Sequence, residues 1–458
     1  MLMGSMFERF AKDHPFAVMS QTLLERALPA EKLDDLFKQE ADSQYTRKLL
    51  FSSVVDLMSE VVMSAQPSVR AAYVHKDCKI TVSLTAVYDK LQGIEPQVSA
   101  ALVDHVDQQL QPLIRELGGA LPELIPGFPM NVLDGNALAA TEHRLLETRA
   151  NSAAPLPGKS LCVFSPSLQL ITRVIPCEDG HAQERSLVDP ILDSMEKGSL
   201  WVADRNFCFQ RFLLGIANRS AYFVIRHHKS LNFKVLSELR KRGRCETGVV
   251  FQQSIQVEDE EGNKIRVRRV VVQLHKATED GDLELVILTN LPRRVKPSTV
   301  AEAYRKRWTI EGGFLDLTTT LQCEIKPLCY PRAALFAFCV AVLAYNMHST
   351  LKAVMRIEHG DETVEKELSR YYMANEIEKT YQGMLTALPP EEWSVFRTMS
   401  LADYAAFLRR VAKGVDLECY PKSHRSTEKK KVTRKFDPKH PHVSAQKILR
   451  KRKPAMTC

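Results

Sequence analysis

Thr299-Val-Ala-Glu-Ala-Tyr-Arg-Lys-Arg-Trp-Thr-Ile-Glu-Gly-Gly-Phe-Leu-Asp-Leu-Thr-Thr-Thr-Leu-Gln322 has the periodicity of one amphipathic helix. Thr299 followed by Glu302 is a capping-box pattern, and the proline just upstream fits a helix start. At about 100° per residue, Tyr304, Arg307 and Glu311 fall within an arc of about 60°, beside an apolar stripe. The stretch therefore predicts a helix that buries one face and presents a polar row along its flank.

Two glycines, Gly312 and Gly313, follow the glutamate within this predicted helix. Each should cost roughly 1 kcal/mol relative to alanine, so their presence suggests that something approaches the backbone closely there. The alternative is an ordinary surface helix in which Glu311 pairs with Arg307 one turn away. The helix alone does not separate these two interpretations.

Two aspartates upstream follow short apolar runs. Asp134 follows Met130-Asn-Val-Leu133, and Asp204 follows Leu200-Trp-Val-Ala203, so each is placed at the carboxyl end of a predicted buried strand. Two acids at strand ends and Glu311 on a later helix can converge on a pair of divalent cations. Hard Mg²⁺ prefers carboxylate oxygens and leaves positions for phosphate and water, which points to phosphodiester chemistry.

Three sequence blocks carry a resemblance to a known family: Leu133–Leu138 with Thr141–Arg144, Trp201–Phe207 and Tyr304–Glu311. They resemble the three acidic regions of the DDE transposases of bacterial insertion sequences. The branch concerned has a Tyr-Arg-Glu-Lys signature, and Tyr304, Arg307 and Glu311 match its spacing. Thr318 stands at the lysine position. The resemblance covers roughly residues 127–347.

This resemblance implies that Asp134, Asp204 and Glu311 are the catalytic residues and hold two Mg²⁺ ions, with Mn²⁺ as a substitute. It implies DNA contacts for Tyr304 and Arg307. Lys306 and Trp308 are further candidates for DNA contact, and Asn136, Arg205 and Asn206, which follow the two aspartates, are candidates for a supporting role. Tyr304 could instead serve helix packing and Arg307 an ion pair with Glu311, and burial of Trp308 against the core is the favoured alternative to base stacking. Lys306 or Lys326 could supply the cation that Thr318 does not.

The implied function is that of a DNA transposase, which cleaves the terminal repeats of a mobile element and joins them to target DNA, with cut-and-paste excision expected. The expected partner is double-stranded DNA, and a reaction on two ends suggests a homodimer. Two alternatives stay open: a transposase-derived DNA-binding protein with impaired catalysis, and a metal-dependent nuclease of the same fold without strand transfer. A serine or cysteine hydrolase is disfavoured, because the sequence contains no nucleophile elbow.

The predicted fold class is α/β, a ribonuclease H-like mixed sheet with a β-rich insertion. The domain boundaries we expect are 1–125 (helical, DNA-end recognition), 126–230 (first part of the core), 231–292 (β-rich insertion), 293–385 (second part of the core), 386–420 (helical) and 421–458 (basic tail). Candidate core strands are Asn131–Leu133, Leu161–Phe164, Gln169–Ile175, Leu200–Ala203 and Tyr222–Ile225, with helices near Ala182–Glu196 and Phe207–Ala217. This order places the acids on neighbouring strands.

Two regions have alternative interpretations. The segment Ile80–Gly93 with the helix after Pro96 is either a helix-turn-helix-like unit or ordinary helical packing within an amino-terminal region predicted to be helical near Thr22–Gln39, Gln44–Met63 and Pro96–Leu117. In the insertion, Arg266, Arg268 and Arg269 either contact DNA or belong to a solvated strand face, and the solvated face is favoured.

The net charge of +8 comes from the carboxyl-terminal tail, which has thirteen Lys and Arg against Glu428 and Asp437 from Pro421 onward. We expect this tail to be disordered alone and to bind phosphates, the alternative being a solubility tail. None of the ten cysteines forms a Cys-x-x-Cys pair, which disfavours structural zinc and fits a reducing, bacterial cytoplasm. No secretory signal opens the sequence, and Ala333–Tyr345 is too short to span a bilayer, so no membrane association is expected.

Overall fold

The computed structural model describes residues 4–43, 48–76, 80–278, 281–422 and 442–451. Within these ranges, the helices before the first strand are α1 (Ser5–Asp13), α2 (Pro15–Ala27), α3 (Ala30–Glu40), α4 (Phe51–Val62), α5 (Val69–His75), α6 (Leu84–Gly93) and α7 (Pro96–Leu117). α7 has its predicted bounds, because Pro96 begins it and Gly118 ends it at a φ of 73°. The prediction of one helix over Thr22–Gln39 is wrong, since the helix is interrupted at Pro29, between α2 and α3. The predicted helix Gln44–Met63 begins only at Phe51, and residues 44–47 lie outside the described ranges.

The strands in chain order are β1 (Met130–Ala137), β2 (Pro155–Leu156), β3 (Lys159–Ser165), β4 (Leu170–Cys177), β5 (Leu200–Ala203), β6 (Tyr222–Arg226), β7 (Lys234–Val235), β8 (Arg240–Cys245), β9 (Gly248–Glu258), β10 (Lys264–Leu274), β11 (Glu284–Thr289) and β12 (Val443–Ser444). Ten of these described strands form one sheet in the order β4-β3-β1-β5-β6-β11-β10-β9-β7, with β8 also paired to β9. β12 pairs with β2 in a separate small sheet.

The first five positions of this order, β4-β3-β1-β5-β6, are compatible with a ribonuclease H-like core. β1, β5 and β6 run parallel, and β3 and β4 are antiparallel to their neighbours. β5 has its predicted bounds, but β1 continues to Ala137, so Asp134 lies within a strand rather than at its end. The parallel pairing of β1 with β5 nevertheless stops at Leu133 and Ala203, one residue before each aspartate.

The β-rich region after β6 extends the same sheet. β11 pairs with β6, and β10 and β9 follow outward. Here the expectation of a solvated or DNA-contacting Arg268 is wrong. Its side chain is buried and donates to the carbonyls of Leu291 (3.2 Å), Pro292 (2.9 Å) and Val295 (2.9 Å). Arg268 therefore fixes the loop that leads into the next helix.

The later helices are α8 (Asp189–Asp193), α9 (Gln210–Asn218), α10 (Pro297–Arg305), α11 (Trp308–Thr319), α12 (Pro331–His359), α13 (Asp361–Glu367), α14 (Arg370–Ala387), α15 (Pro390–Thr398), α16 (Leu401–Lys413) and α17 (Ala445–Lys451). The single helix predicted for Thr299–Gln322 is wrong. It is two helices, and α10 begins at Pro297 with Lys296 as its N-cap, not at a Thr299 cap. The predicted helix Ala182–Glu196 is instead a 3₁₀ helix, Glu184–Leu187, followed by the short α8.

α12 is the central helix of the protein. It packs against α4, α7, α16 and β4, and all but a few of its 29 residues are buried. Its length and hydropathy would suffice to cross a membrane, yet its apolar window lies wholly inside the protein. α7 packs on both α12 and β4, which favours ordinary helical packing over a DNA-reading role for this helix.

The expectation of a wholly disordered tail is wrong for its described part. Val443 and Ser444 pair with Pro155 and Leu156, and α17 follows. Asp179 accepts from Ser444 Oγ at 2.7 Å and pairs with Lys447 Nζ at 3.1 Å, so this part of the tail is tied to the loop after β4. Residues 423–441 and 452–458, with most of the tail's cations, lie outside the described residues.

Candidate functional site

The junction between α10 and α11 places the polar residues of the signature stretch. Lys306 and Arg307 form a turn, in which Arg307 N donates to Tyr304 O at 3.0 Å and Thr309 N donates to Lys306 O at 3.0 Å. Bonds of this i to i+3 type tighten the chain and change its direction slightly. Arg307 is therefore the residue at the bend, and its side chain points back to the sheet.

Arg307 joins two of the three predicted acids. Its Nη1 donates to Asp134 Oδ2 at 2.7 Å, and its Nη2 donates to Glu311 Oε1 at 2.6 Å. The side chains of Arg307 and Asp134 are 11% and 18% exposed, whereas that of Glu311 is 52% exposed. Of the two alternatives for Arg307, the ion pair with Glu311 is present, and the guanidinium also pairs with the distant Asp134.

Asp204 lies beside Asp134 at the end of the neighbouring parallel strand. Its Oδ1 accepts from Asn206 N at 2.7 Å and caps the 3₁₀ helix Arg205–Phe207. Burial raises the pKa of Asp134 to about 6, with Arg307 opposing the rise and the charge of Asp204 adding to it. The two aspartates are therefore close enough to repel each other, as expected of acids placed at one sheet edge.

Tyr304 is 7% exposed and lies behind the guanidinium of Arg307. Burial raises the pKa of its phenol, while the nearby Arg307 and Arg226 act in the opposite direction. The hydroxyl is therefore a neutral donor and acceptor near pH 7. Tyr304 is therefore packed in the core, as one of the two predictions has it, and its hydroxyl lies next to Arg307.

A fourth carboxylate, Glu184, was missed by the sequence analysis. Its charge acts on Asp134, and its Oε2 accepts from Asn206 Nδ2 at 3.5 Å. A Cβ on residue 135 would overlap the Glu184 carboxylate, so Gly135 permits this close approach. The glycine directly after Asp134 was the available signal, but Glu184 itself sits in a segment that was predicted to be a helix.

The acids suit a hard divalent cation in kind, because they offer only oxygen ligands from adjoining elements. Their arrangement does not suit one. No group of three His, Cys, Asp or Glu within the ranges described above is placed to hold a metal ion. The cause is visible in the geometry, since the Arg307 guanidinium lies between Asp134 and Glu311. Metal binding here therefore requires Arg307 to move away from these carboxylates.

The remaining predicted DNA contacts lie at the start of α11 and just before it. Lys306 is exposed, and Trp308 is 62% exposed, so the prediction that Trp308 is buried against the core is wrong. Gly312 lies on the same face, where a Cβ would have no neighbouring atom within 4 Å. Gly313 instead faces α12, where a Cβ would be 3.2 Å from Tyr345 Oη. Only Gly313 is explained by packing.

Thr318, at the position of the signature lysine, bonds back to its own helix. Its Oγ1 donates to Leu315 O at 3.0 Å. Thr318 and Lys326 line one cleft, which also includes Tyr88 and Gln322. Of the two lysines predicted to replace the missing cation, Lys326 is thus the one that shares a surface with Thr318.

Residues 158–347 match the family model of the Transposase DDE domain. No curated protein matches the chain significantly. The matched residues include Asp204, Tyr304, Arg307 and Glu311 and begin after Asp134. This part of the chain is therefore similar to the DDE domain of transposases.

Proposed function

We propose that this protein is a DNA transposase of the Tyr-Arg-Glu-Lys branch, which cleaves the terminal repeats of a mobile element and transfers the ends to target DNA by a cut-and-paste route. The observation that carries the proposal is the bridge from Asp134 through Arg307 to Glu311, with Asp204 beside it. Arg307 reaches Asp134, 173 positions earlier, at 2.7 Å and Glu311, one turn later, at 2.6 Å. A purely structural pair would not need a second carboxylate and a signature tyrosine.

The three acids have one shared role in this proposal. Once Arg307 has left Asp134 and Glu311, these two acids and Asp204 would hold Mg²⁺, or Mn²⁺ in its place, which would supply activation of the attacking hydroxyl and stabilisation of the leaving oxygen. The backbone bond from Asn206 fixes the orientation of Asp204, and the strand pairing fixes that of Asp134. The exposure of Glu311 leaves it free to turn toward them.

Arg307 and Tyr304 act on the DNA rather than on the acids. A guanidinium binds a phosphate through paired charge-assisted hydrogen bonds, which Arg307 can make once it leaves the carboxylates. Tyr304 supports it from behind. Lys306 and Trp308 project from the exposed side of the bend, where a cation suits the backbone and an indole suits an unpaired base.

The DNA partner implies an assembly and a location. Each element has two ends, so joining both in one event requires two active sites, which a homodimer supplies. The substrate is chromosomal DNA of a bacterial cell, so the proposed location is the cytoplasm, in association with the nucleoid.

The test uses the full chain, Mg²⁺, a duplex carrying the element's terminal repeat with a labelled 3′ end, and a circular target. Wild type is compared with Asp204→Asn, which keeps an acceptor for Asn206 N. The matched control is Asp193→Asn, which removes an exposed acid that pairs with Arg219 at 2.9 Å on the surface. We expect cleavage and joining by wild type and the control, and at least a thousandfold loss in Asp204→Asn, as expected for a residue that acts on the reacting atoms.

Other results have distinct meanings. Cleavage without joined product would indicate a nuclease. Binding of the repeat without cleavage in either Mg²⁺ or Mn²⁺ would indicate a DNA-binding descendant. Equal activity of wild type and Asp204→Asn would remove Asp204 from the active site.

A further inference from the structure

A run of exposed cations lies at the outer edge of the sheet. β8 has the sequence Arg240-Lys-Arg-Gly-Arg-Cys245, with four cations and no acid, and residues 234–244 are all exposed. β7 and β8 occupy the same outer side of β9, whose other side is paired with β10. The edge is therefore open to solvent and strongly positive.

Few of these charges are neutralised within the protein. Among the residues described, Arg240 pairs with Glu238 at 3.6 Å, where both side chains are largely exposed. Lys241, Arg242 and Arg244 have no carboxylate within ion-pair distance among the residues that the structure describes. Positively charged side chains that lie close together without acidic partners repel one another, so a bound anion would stabilise this edge.

The position of β8 connects this edge with the candidate site. β8 packs along α10, and Glu246 just after the strand pairs with Arg305 of that helix at 2.6 Å. The charge of Arg242 also acts on Arg268, as does that of Arg293, so these cations are neighbours. Arg305 is the last residue of α10, two positions before Arg307. The basic edge and the acid cluster therefore flank the same helix.

A bulge shapes this edge. The register of β8 against β9 shifts between Lys241 and Gly243, and Gly243 has a φ of 130°. A bulge breaks the regular alternation of side chains and increases the local twist. The bulge thus keeps β8 from forming a flat ladder that another strand could extend.

We infer that Arg240, Lys241, Arg242, Arg244 and Arg293, named here the β8 basic surface, bind the sugar-phosphate backbone of the duplex that runs past α10 from the reacting end. The inference rests on the proposed function for the identity of the DNA and adds a contact surface outside the acid cluster. Such contacts carry no base specificity and fix the register of the duplex on the protein.

Charges on an edge strand have another use, because they prevent association with a second sheet edge. That use needs charge of either sign, whereas phosphate binding needs positive charge. Reversal of the sign therefore separates the two. Lys241→Glu/Arg242→Glu/Arg244→Glu keeps the edge charged and removes its attraction for phosphate.

The experiment measures binding of the full chain to a terminal-repeat duplex at several salt concentrations. We expect the triple variant to lose roughly ten- to a hundredfold in affinity and to lower the slope of log K against log salt by about 2 to 3, close to one unit for each lost phosphate contact. The control Lys197→Glu/Lys366→Glu/Lys379→Glu makes the same change in net charge at exposed sites away from β8. Lys197 precedes the start of β5, whereas Asp204 follows its end. It should keep the wild-type slope.

A slope in the β8 variant equal to that of the control would overturn the inference while leaving the proposed function intact, provided that wild type still joins DNA ends. Aggregation of Lys241→Gln/Arg242→Gln/Arg244→Gln together with unchanged DNA binding by the Glu variant would assign the charges to edge protection and also overturn it. A reduced slope in the β8 variant, with no cleavage by any protein, would retain the surface and reject the proposed chemistry. Thermal unfolding of each variant checks that the fold is kept.

Discussion

The guanidinium of Arg307 donates to the carboxylate of Asp134 at 2.7 Å, in a position where both side chains are more than four-fifths buried. The same guanidinium also pairs with Glu311, so one cation bridges two acids of the candidate site. Arg307 Nε is buried without a partner among the described residues. The protein without DNA therefore holds its own cation where the proposed metal ligands would otherwise face each other.

Removal of this cation should strengthen metal binding by the free protein. In Arg307→Gln, Asp134 and Glu311 lose their internal partner, and we expect Mn²⁺ to bind about tenfold more tightly, equivalent to ~1.4 kcal/mol. Calorimetric titration of the DNA-free protein with Mn²⁺ measures this directly. Arg305→Gln is the matched control, because it removes an exposed partner of Glu246 only. Equal Mn²⁺ affinity in wild type and both variants would show that Arg307 does not compete with cations.

The two glycines of α11 should respond differently to alanine. A methyl group at residue 312 meets open space, so Gly312→Ala should stabilise the protein by about 1 kcal/mol through helix propensity. Gly313→Ala should gain less, because its methyl group would be 3.2 Å from the hydroxyl of the buried Tyr345. Chemical denaturation of both variants tests the order.

If Gly312 is present so that DNA can approach the backbone of α11, then Gly312→Ala should also reduce cleavage of the terminal repeat while it stabilises the fold. Full activity in that variant would leave Gly312 without a functional explanation. Gly313→Ala is the internal reference for that comparison.

The placement of Asp134 beside Asp204 could be predicted because it depends on local signals. Short apolar runs before Asp134 and Asp204 fix two strands, and parallel pairing brings their ends together. The break at Lys306 and Arg307 could not be predicted in the same way, since the apolar periodicity continues through it. What breaks the helix is tertiary: Arg307 turns inward to reach Asp134, which lies 173 positions earlier.

The positions of buried charged side chains were the second feature that the sequence did not predict. Arg268 alternates with apolar residues along β10 as a solvated cation would, but its partners are loop carbonyls more than twenty positions later. Glu184 has the same character, because its place over Gly135 depends on how the chain between β4 and β5 folds back. A sequence pattern indicates which face of a helix or strand is apolar. It does not indicate which distant groups will pair with a charged side chain that is buried on that face.

The departure from the signature at Thr318 leads to a prediction on DNA affinity. Thr318→Lys should restore a cation on the exposed end of α11, and we expect affinity for the terminal repeat to rise about threefold to tenfold and the salt slope to increase by about one. Lys326→Gln, in the same cleft, should lower both. Filter binding at several salt concentrations measures these changes. Asn218→Lys, at an exposed position at the end of α9 and outside this cleft, is the control for added charge alone.

The combined result decides whether Lys326 supplies the missing cation. If Lys326→Gln binds as wild type does, then the cleft lined by Thr318 and Lys326 is not on the DNA path. A gain in Asn218→Lys equal to that in Thr318→Lys would indicate a general effect of charge.

Asp107 in α7 should make stability depend on pH. Burial raises the pKa of its carboxyl to about 7, a rise that a hydrogen bond from Gln111 at 2.6 Å opposes and the nearby Asp104 strengthens. In the unfolded chain an aspartate titrates near ~3.9. Folding therefore favours the protonated acid, so its contribution to stability is present below pH 4 and is lost as pH rises through about 7.

Asp107→Asn removes this dependence, because an asparagine carbonyl accepts the same bond from Gln111 and carries no charge at any pH. We expect the variant to match wild type near pH 4 and to be more stable at pH 8 by about 2–4 kcal/mol, from ~1.4 kcal/mol for each pKa unit. Denaturant unfolding at both pH values measures the difference. Asp193→Asn is the control, since Asp193 is exposed and pairs only with Arg219 on the surface. An equal difference between Asp107→Asn and wild type at the two pH values would mean that Asp107 is ionised in the folded protein throughout, and that its burial has no titration cost.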